Sequence, residues 1–266
     1  MVDIKKTAEA LNVFLRPQSH PLAIRMCEPR EKLPEKTRLP KRDLGISIAV
    51  CQALAMARRY GWTLAVGKED QACPHGHAVM GFVPRERYAN GILAEAAGLG
   101  KKEEFARGAE PLTTLEYGKY TYLLVAPLEK AAFDPHFIMF FGNPAQIARL
   151  VQGATAQSGA LLNFVASGGR ACSVFIARTM LTDECQVVLA GAGDRYFALT
   201  QDHEMAFTIP ISRAQEVAEG LEMSHRAGLR YPTPSWLRFE GQLPPEYYKF
   251  TELLLKEEGE QEKGSR

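Results

Sequence analysis

The sequence predicts an α+β fold, a mixed or antiparallel sheet with repeated strand–capped-helix units packed on it. Two observations predict this. Tyr120 to Leu128 and Phe137 to Phe141 are rich in β-branched and aromatic residues, the composition of paired and substantially buried strands. Two strand-to-helix junctions then repeat one device. Phe137 to Phe141 leads into Asn143-Pro144-Ala145-Gln146, and Met205 to Ile209 leads into Ser212-Arg213-Ala214-Gln215. In each, a capping side chain stands three residues before a Gln that can reach back to the cap's own amide. Pro144 falls at the first helical position, where its missing N–H costs nothing. Apolar spacing gives each helix one buried face: Ile147, Leu150, Val151 and Ala154 in the first, Ala214, Val217, Ala218 and Leu221 in the second. These are read as related units of a single domain over residues 1–255, with two pseudo-related halves at about 1–128 and 129–255, and a disordered tail at 256–266.

The remaining elements follow in chain order. Ile4 to Leu15 is an amphipathic helix with Ile4, Ala8, Leu11 and Leu15 on one face, ended by Pro17 and Pro21. Leu22 to Met26 is a short strand running into Cys27, and Pro29 to Arg42 is a charged, Pro-rich connector. The apolar run Ile46 to Met56 becomes a helix that stops at Arg58, Arg59 and Gly61, basic residues and a glycine being ordinary C-terminal signals. A second helix spans about Arg85 to Ala97, stopped by Gly98, and a third short piece spans Lys101 to Arg107. Gln186 to Ala190 is a strand, and Tyr231 to Pro245, which holds Trp236, is a Pro-rich loop across the body. The last helix, Glu246 to Leu255, gives way to KEEGEQEKGSR, whose composition forms no core.

Composition narrows the function classes. A formal net charge of +1, with scattered Lys and Arg, gives no basis for phosphate-driven nucleic-acid binding. There is no run of eighteen apolar residues to span a bilayer, and MVDIKKTAEALNVFL lacks the apolar centre of a signal peptide. A cytoplasmic location is expected. Five dispersed cysteines in 266 residues read as free thiols in a reducing compartment, each a buried filler, a ligand or a nucleophile.

Four of them carry the chemical reading. Cys51 and Cys172 each lead into a helical stretch, where unpaired amides and the dipole's positive end favour the thiolate. Cys73 precedes Pro74 and the turn His75-Gly76-His77; Cys185 precedes the strand Gln186 to Ala190. Four thiolates suit an iron–sulfur cluster, with structural zinc the lesser alternative, although no CxxC is present. His75 and His77 are candidate ligand contacts in that turn. Gly191-Ala192-Gly193-Asp194-Arg195 follows a strand, so its backbone can approach a ligand closely, with Arg195 available to clamp a carboxylate or phosphate. It is no dinucleotide fingerprint, since the third glycine and a following helix are absent, and neither a Walker sequence nor a GxSxG elbow occurs.

Six segments together resemble an uncharacterised bacterial and archaeal family, domain of unknown function 169. They are the helix Cys51-Gln-Ala-Leu-Ala-Met-Ala, Cys73 with Met80-Gly81, Ala126-Pro127-Leu128, Phe141 to Gln146, Cys172, and Gly193-Asp194-Arg195 with Glu204 and Ile209-Pro210. The resemblance implies that Cys51, Cys73 and Cys172 stand where such proteins commonly carry cysteines. It brings no established reaction with it. Relatives often carry a further cysteine where this chain has Gly191, and Cys185, six residues upstream, is the remaining candidate for a fourth thiolate.

Three readings follow. The first is a cluster protein, [4Fe–4S] favoured, doing redox or Lewis-acid chemistry on a small anionic molecule, with an electron-transfer partner and oligomer formation allowed. The second is a metal-free binding or accessory protein with structural cysteines. The third is a transferase with Cys172 as nucleophile and His75 or His77 as base.

Overall fold

Among the described residues, six strands form one antiparallel sheet: β1 (Leu22–Cys27), β2 (Leu64–Gly67), β3 (Tyr122–Pro127), β4 (Phe137–Gly142), β5 (Gln186–Leu189) and β6 (Met205–Pro210), in the order β2-β3-β1-β4-β6-β5. The computed structural model describes residues 4–90, 101, 103–104, 106, 112–233 and 243–263. The fold is α+β, as expected. The expected helix ends over residues 91–98 and most of 101–107, and the loop around Trp236, lie outside the described residues.

Helices cover both faces of the sheet, which is why its central strands read as continuous apolar runs rather than alternating ones. α1 (Ile4–Leu15), α5 (Pro144–Thr155) and α8 (Ala214–Arg226) pack on one face. Their Leu11, Leu15, Ile147, Leu150, Val217 and Leu221 meet Ala23, Ile138, Phe140 and Phe207 of the strands. The other face carries α2 (Val50–Tyr60), α3 (Pro74–Val79) and α6 (171–182). Here Leu54, Val79, Phe175 and Ile176 meet Ile24, Met26, Phe137 and Met139. Successive β4 residues point to opposite faces, so Phe137 and Phe140 sit in different cores. Burying one such ring contributes roughly 1.5–3 kcal/mol.

α4 (Arg85–Ala89), α7 (Ala192–Tyr196) and α9 (Pro245–Lys263) complete the helices. α5 and α8 cross at Gly153 and Gly220, where a Cβ on Gly220 would stand 2.0 Å from the Gly153 carbonyl oxygen. α6 is π-helical over Ser173–Arg178 and α-helical over Thr179–Thr182, and ends on Asp183 with φ of 54°. Buried Arg58 pairs with Glu204 through both guanidinium nitrogens, 2.5 and 2.9 Å, and lies over the Phe141 ring.

Several expectations are corrected. β3 and β4 do not pair with each other, because β1 lies between them and binds both. The unforeseen strand β2 takes the outer edge; at four residues its pattern is too short to register. Asn143 and Gln146 form the expected reciprocal cap of α5, at 2.8 and 3.0 Å. Ser212 does not cap α8. A 3₁₀ turn at Ile211–Arg213 delays the helix to Ala214, and the Ser212 hydroxyl donates to Asp183 instead. His75-Gly76-His77 lies in helix α3, not a turn, and Gly191 is followed by the short helix α7. α9 runs on to Lys263 through residues expected as tail, since Glu, Lys and Gln favour helix without needing a core.

Candidate functional site

On the face carrying α2, α3 and α6, a cavity of about 230 Å³ is lined by Cys51, Cys73, Cys172, His75, Gly193 and Asp194, with Phe175 and Phe197 as apolar walls. Backbone hydrogen bonds bring these distant segments together. The Ile48 N–H donates to Asp70 C=O at 2.8 Å and Ala72 N–H donates to Ile48 C=O at 2.9 Å, so the loop entering α2 is stitched to the loop entering α3. That places Cys51, in the first turn of α2, beside Cys73 at the α3 cap. On the other side, Ala192 N–H donates to Gly168 C=O at 3.0 Å, tying the entry of α6 to the start of α7. The Cys51 thiol donates to the Gly193 carbonyl, S to O 3.6 Å, and closes the ring of segments.

Burial keeps the Cys51 and Cys172 thiols protonated. Burial first, then Asp194 and Cys73, pushes the Cys51 thiol up to about 12. Cys172 is pushed up further, by burial and then by Cys73, Asp194 and Cys51. This reverses the expectation that a helix N-terminus would favour the thiolate: loss of water outweighs the amide donors and dipole. Burial also raises the Asp194 carboxyl, although the Gly191 N–H donates to its Oδ2 at 3.0 Å. His75 is pushed down by burial and then by Arg170, so the imidazole favours its neutral form. Its Nδ1 is 2.5 Å from the Tyr88 hydroxyl, which in turn hydrogen-bonds Arg170.

Three of the four candidate cysteines thus meet on one cavity, each partly accessible, whereas Cys27 and Cys185 are buried. Cys185 lies across the sheet. It shares the opposite core with Val187, while Val188 faces the cavity's side, because side chains alternate along the strand. Arg195 also misses the cavity. It is half-exposed, donating to Gln201 C=O at 2.9 Å and standing 3.7 Å from Asp202. His77 points away, its Nε2 on the Gln71 carbonyl at 2.9 Å. Gly191 contributes its amide to Asp194, and Gly193 lines the wall. Sequence reasoning missed Asp194, Phe175, Phe197 and Tyr88 as members of the site. Only Asp194 left a trace, an acidic residue three positions after the Gly191 cap. Among the described residues, no three His, Cys, Asp or Glu side chains are grouped so as to hold a metal ion.

A two-sided α+β domain with three separated thiols collected on one cavity defines the class. The chain belongs to the family described as "Uncharacterised ArCR", domain of unknown function 169, whose sequence profile matches residues 10–220. It is 25% identical over 224 residues to an uncharacterized protein of Methanocaldococcus jannaschii, covering 83% of this chain and 94% of that protein. No solved structure matches it. No described helix is long and apolar enough to cross a membrane.

Proposed function

We propose that this chain binds an iron–sulfur cluster of the [4Fe–4S] kind through Cys51, Cys73 and Cys172, in redox or Lewis-acid chemistry on a small anionic molecule. One observation carries the reading: of five thiols, three are partly accessible on one cavity, and Cys27 and Cys185 are buried elsewhere. Core-filling cysteines have no physical reason to sort in this way.

The donors fit such a group. Thiolates are the ligands clusters take, and each ligation would send a thiol proton to solvent and offset the penalty that burial places on ionising Cys51 and Cys172. When bound, a cluster supplies electrons or a Lewis-acidic iron. The chain's own contribution is a neutral imidazole at His75, oriented through Nδ1 by Tyr88, and the positive charge of Arg170 behind it. Cys172 as a nucleophile is less well supported, because burial holds its proton on.

Anaerobic reconstitution with ferrous iron and sulfide tests the reading. The expected product is brown, with iron and sulfide in equal amounts. That colour is lost in Cys51→Ser, Cys73→Ser and Cys172→Ser but kept in Cys27→Ser and Cys185→Ser. A colourless, iron-free wild type refutes it. The ungrouped donors favour a second reading, a metal-free pocket for a small molecule, and the same iron assay separates the two.

A further inference from the structure

At the end of the sheet where β1 and β2 finish and β3 begins, a second cleft of about 580 Å³ opens, sharing no lining residue with the thiol cavity. Its size falls within the range of small-molecule sites. Four aromatic side chains line it: Phe82 from the segment after α3, and Tyr117, Tyr120 and Tyr122 from the approach to β3. Tyr122 stands opposite Gly67 in the β2–β3 ladder. Its ring crosses the glycine so closely that a Cβ there would lie 2.7 Å from the ring's Cε1. Among the described residues, none of the three tyrosine hydroxyls has a hydrogen-bond partner.

The loops that shape the cleft are held in place before anything binds. Thr121 N–H donates to Cys27 C=O at 2.8 Å, and Gly118 N–H donates to Gly81 C=O at 3.0 Å. Gly67 N–H donates to Asp70 Oδ2 at 3.1 Å, which fixes the turn after β2. Order already present in the free protein need not be supplied by a ligand.

Charge at the cleft is divided unevenly between engaged anions and unengaged cations. Glu31 accepts from the Arg25 guanidinium and, at 3.1 Å, from the Glu28 N–H. Asp70 accepts from two backbone amides, of Lys41 at 2.9 Å and of Gly67. Glu69 stands 3.5 Å from the Lys41 ammonium. Each carboxylate therefore has its own donor. Arg30 and Lys68 also line the cleft, and among the described residues their side chains make neither a hydrogen bond nor an ion pair. Aromatic side chains accept the face of a heterocyclic base, and an unpaired guanidinium accepts a phosphate through two parallel N–H donors.

We infer that this cleft binds a mononucleotide, its base on the aromatic side chains and its phosphate on Arg30 and Lys68. The inference does not rest on the cluster reading, and its test needs no metal. Equilibrium dialysis of the full-length protein against AMP, GMP, CMP and UMP should show binding of at least one. The matching nucleoside and ribose 5-phosphate should each bind at least about tenfold more weakly, since each lacks one half of the recognition. Tyr117→Ala and Tyr120→Ala should each weaken the nucleotide about tenfold, whereas Tyr117→Phe, which keeps the ring, should bind as wild type. Arg30→Gln with Lys68→Gln should weaken the nucleotide and leave the nucleoside unchanged, so that the gap between them closes. Tyr117, Arg30 and Lys68 are exposed, so these variants should keep the wild-type thermal midpoint. Three results overturn the inference: wild type that binds none of the monophosphates at millimolar concentration, a nucleoside bound as tightly as its nucleotide, or nucleotide binding undiminished in both alanine variants.

Discussion

The raised pKa of the Cys51 thiol makes a rate prediction. Alkylation by iodoacetamide proceeds through the thiolate, so its rate tracks the ionised fraction. Burial lifts Cys51 from 9.0 to about 12. At pH 8 its thiolate fraction should then be about a thousandfold below that of an unperturbed thiol, each pH step of one being a factor of ten. The dependence has a sign and a shape. The raised pKa disfavours the charged form, so the rate climbs about tenfold for each step in pH from 7 to 10, with no plateau near 9. Peptide-resolved mass spectrometry of timed, quenched samples reads Cys51 directly, with the protein in urea as the reference for full reactivity. A native Cys51 rate within tenfold of the unfolded one at pH 8, or a plateau near pH 9, refutes the argument that desolvation dominates this site.

Three further outcomes are expected. Glu204→Ala strands the buried Arg58 guanidinium and should cost about 3–5 kcal/mol in urea unfolding, whereas Arg58→Met with Glu204→Leu should stay near wild type. Burial alone would raise the Glu204 carboxyl, but hydrogen bonds from Arg58 and Gln201 outweigh it and hold it below 4.5; the pair's stabilisation is therefore present above pH 4.5 and lost as pH falls below it, which urea midpoints across pH 3–6 would show. Gly220→Ala drives a methyl into the Gly153 carbonyl and should lower the thermal midpoint by far more than Gly45→Ala, where a Cβ meets nothing within 4 Å and only the left-handed backbone is strained. Thr179→Val leaves the Thr208 hydroxyl buried without its 2.7 Å partner and should cost roughly 1–3 kcal/mol, most of it recovered in the double valine variant.

Much of the fold was legible because its signals are local. α1 falls on its apolar stripe, Gly61 stops α2 in the left-handed region, and Asn143 with Gln146 caps α5 as the spacing requires. Strand adjacency was not legible: β3 and β4 are near in sequence, yet β1, at Leu22–Cys27 and far upstream of both, inserts between them. The shared location of Cys51, Cys73 and Cys172 was anticipated, but Cys185 went astray on a single-residue matter, the side of the strand to which it points. Arg195 failed for a similar reason. In a five-residue helix its neighbour Asp194 faces the cavity and Arg195 turns to Gln201. Aromatic walls such as Phe175 and Phe197 carry no sequence mark that separates them from ordinary core.

The widened turn at Ser173–Arg178 has a consequence for deletions. A bulge of this kind absorbs a surplus residue as slack instead of passing a rotation along the helix, and Thr179 takes up part of that slack by donating its hydroxyl to the Val174 carbonyl at 3.3 Å. Removing one residue there should relax the coil to ordinary winding and leave everything upstream in phase. Removing one from α2, which has nothing to spare, should swing its leading thiol about a hundred degrees round the axis. Two helices on one cavity therefore differ in what they forgive.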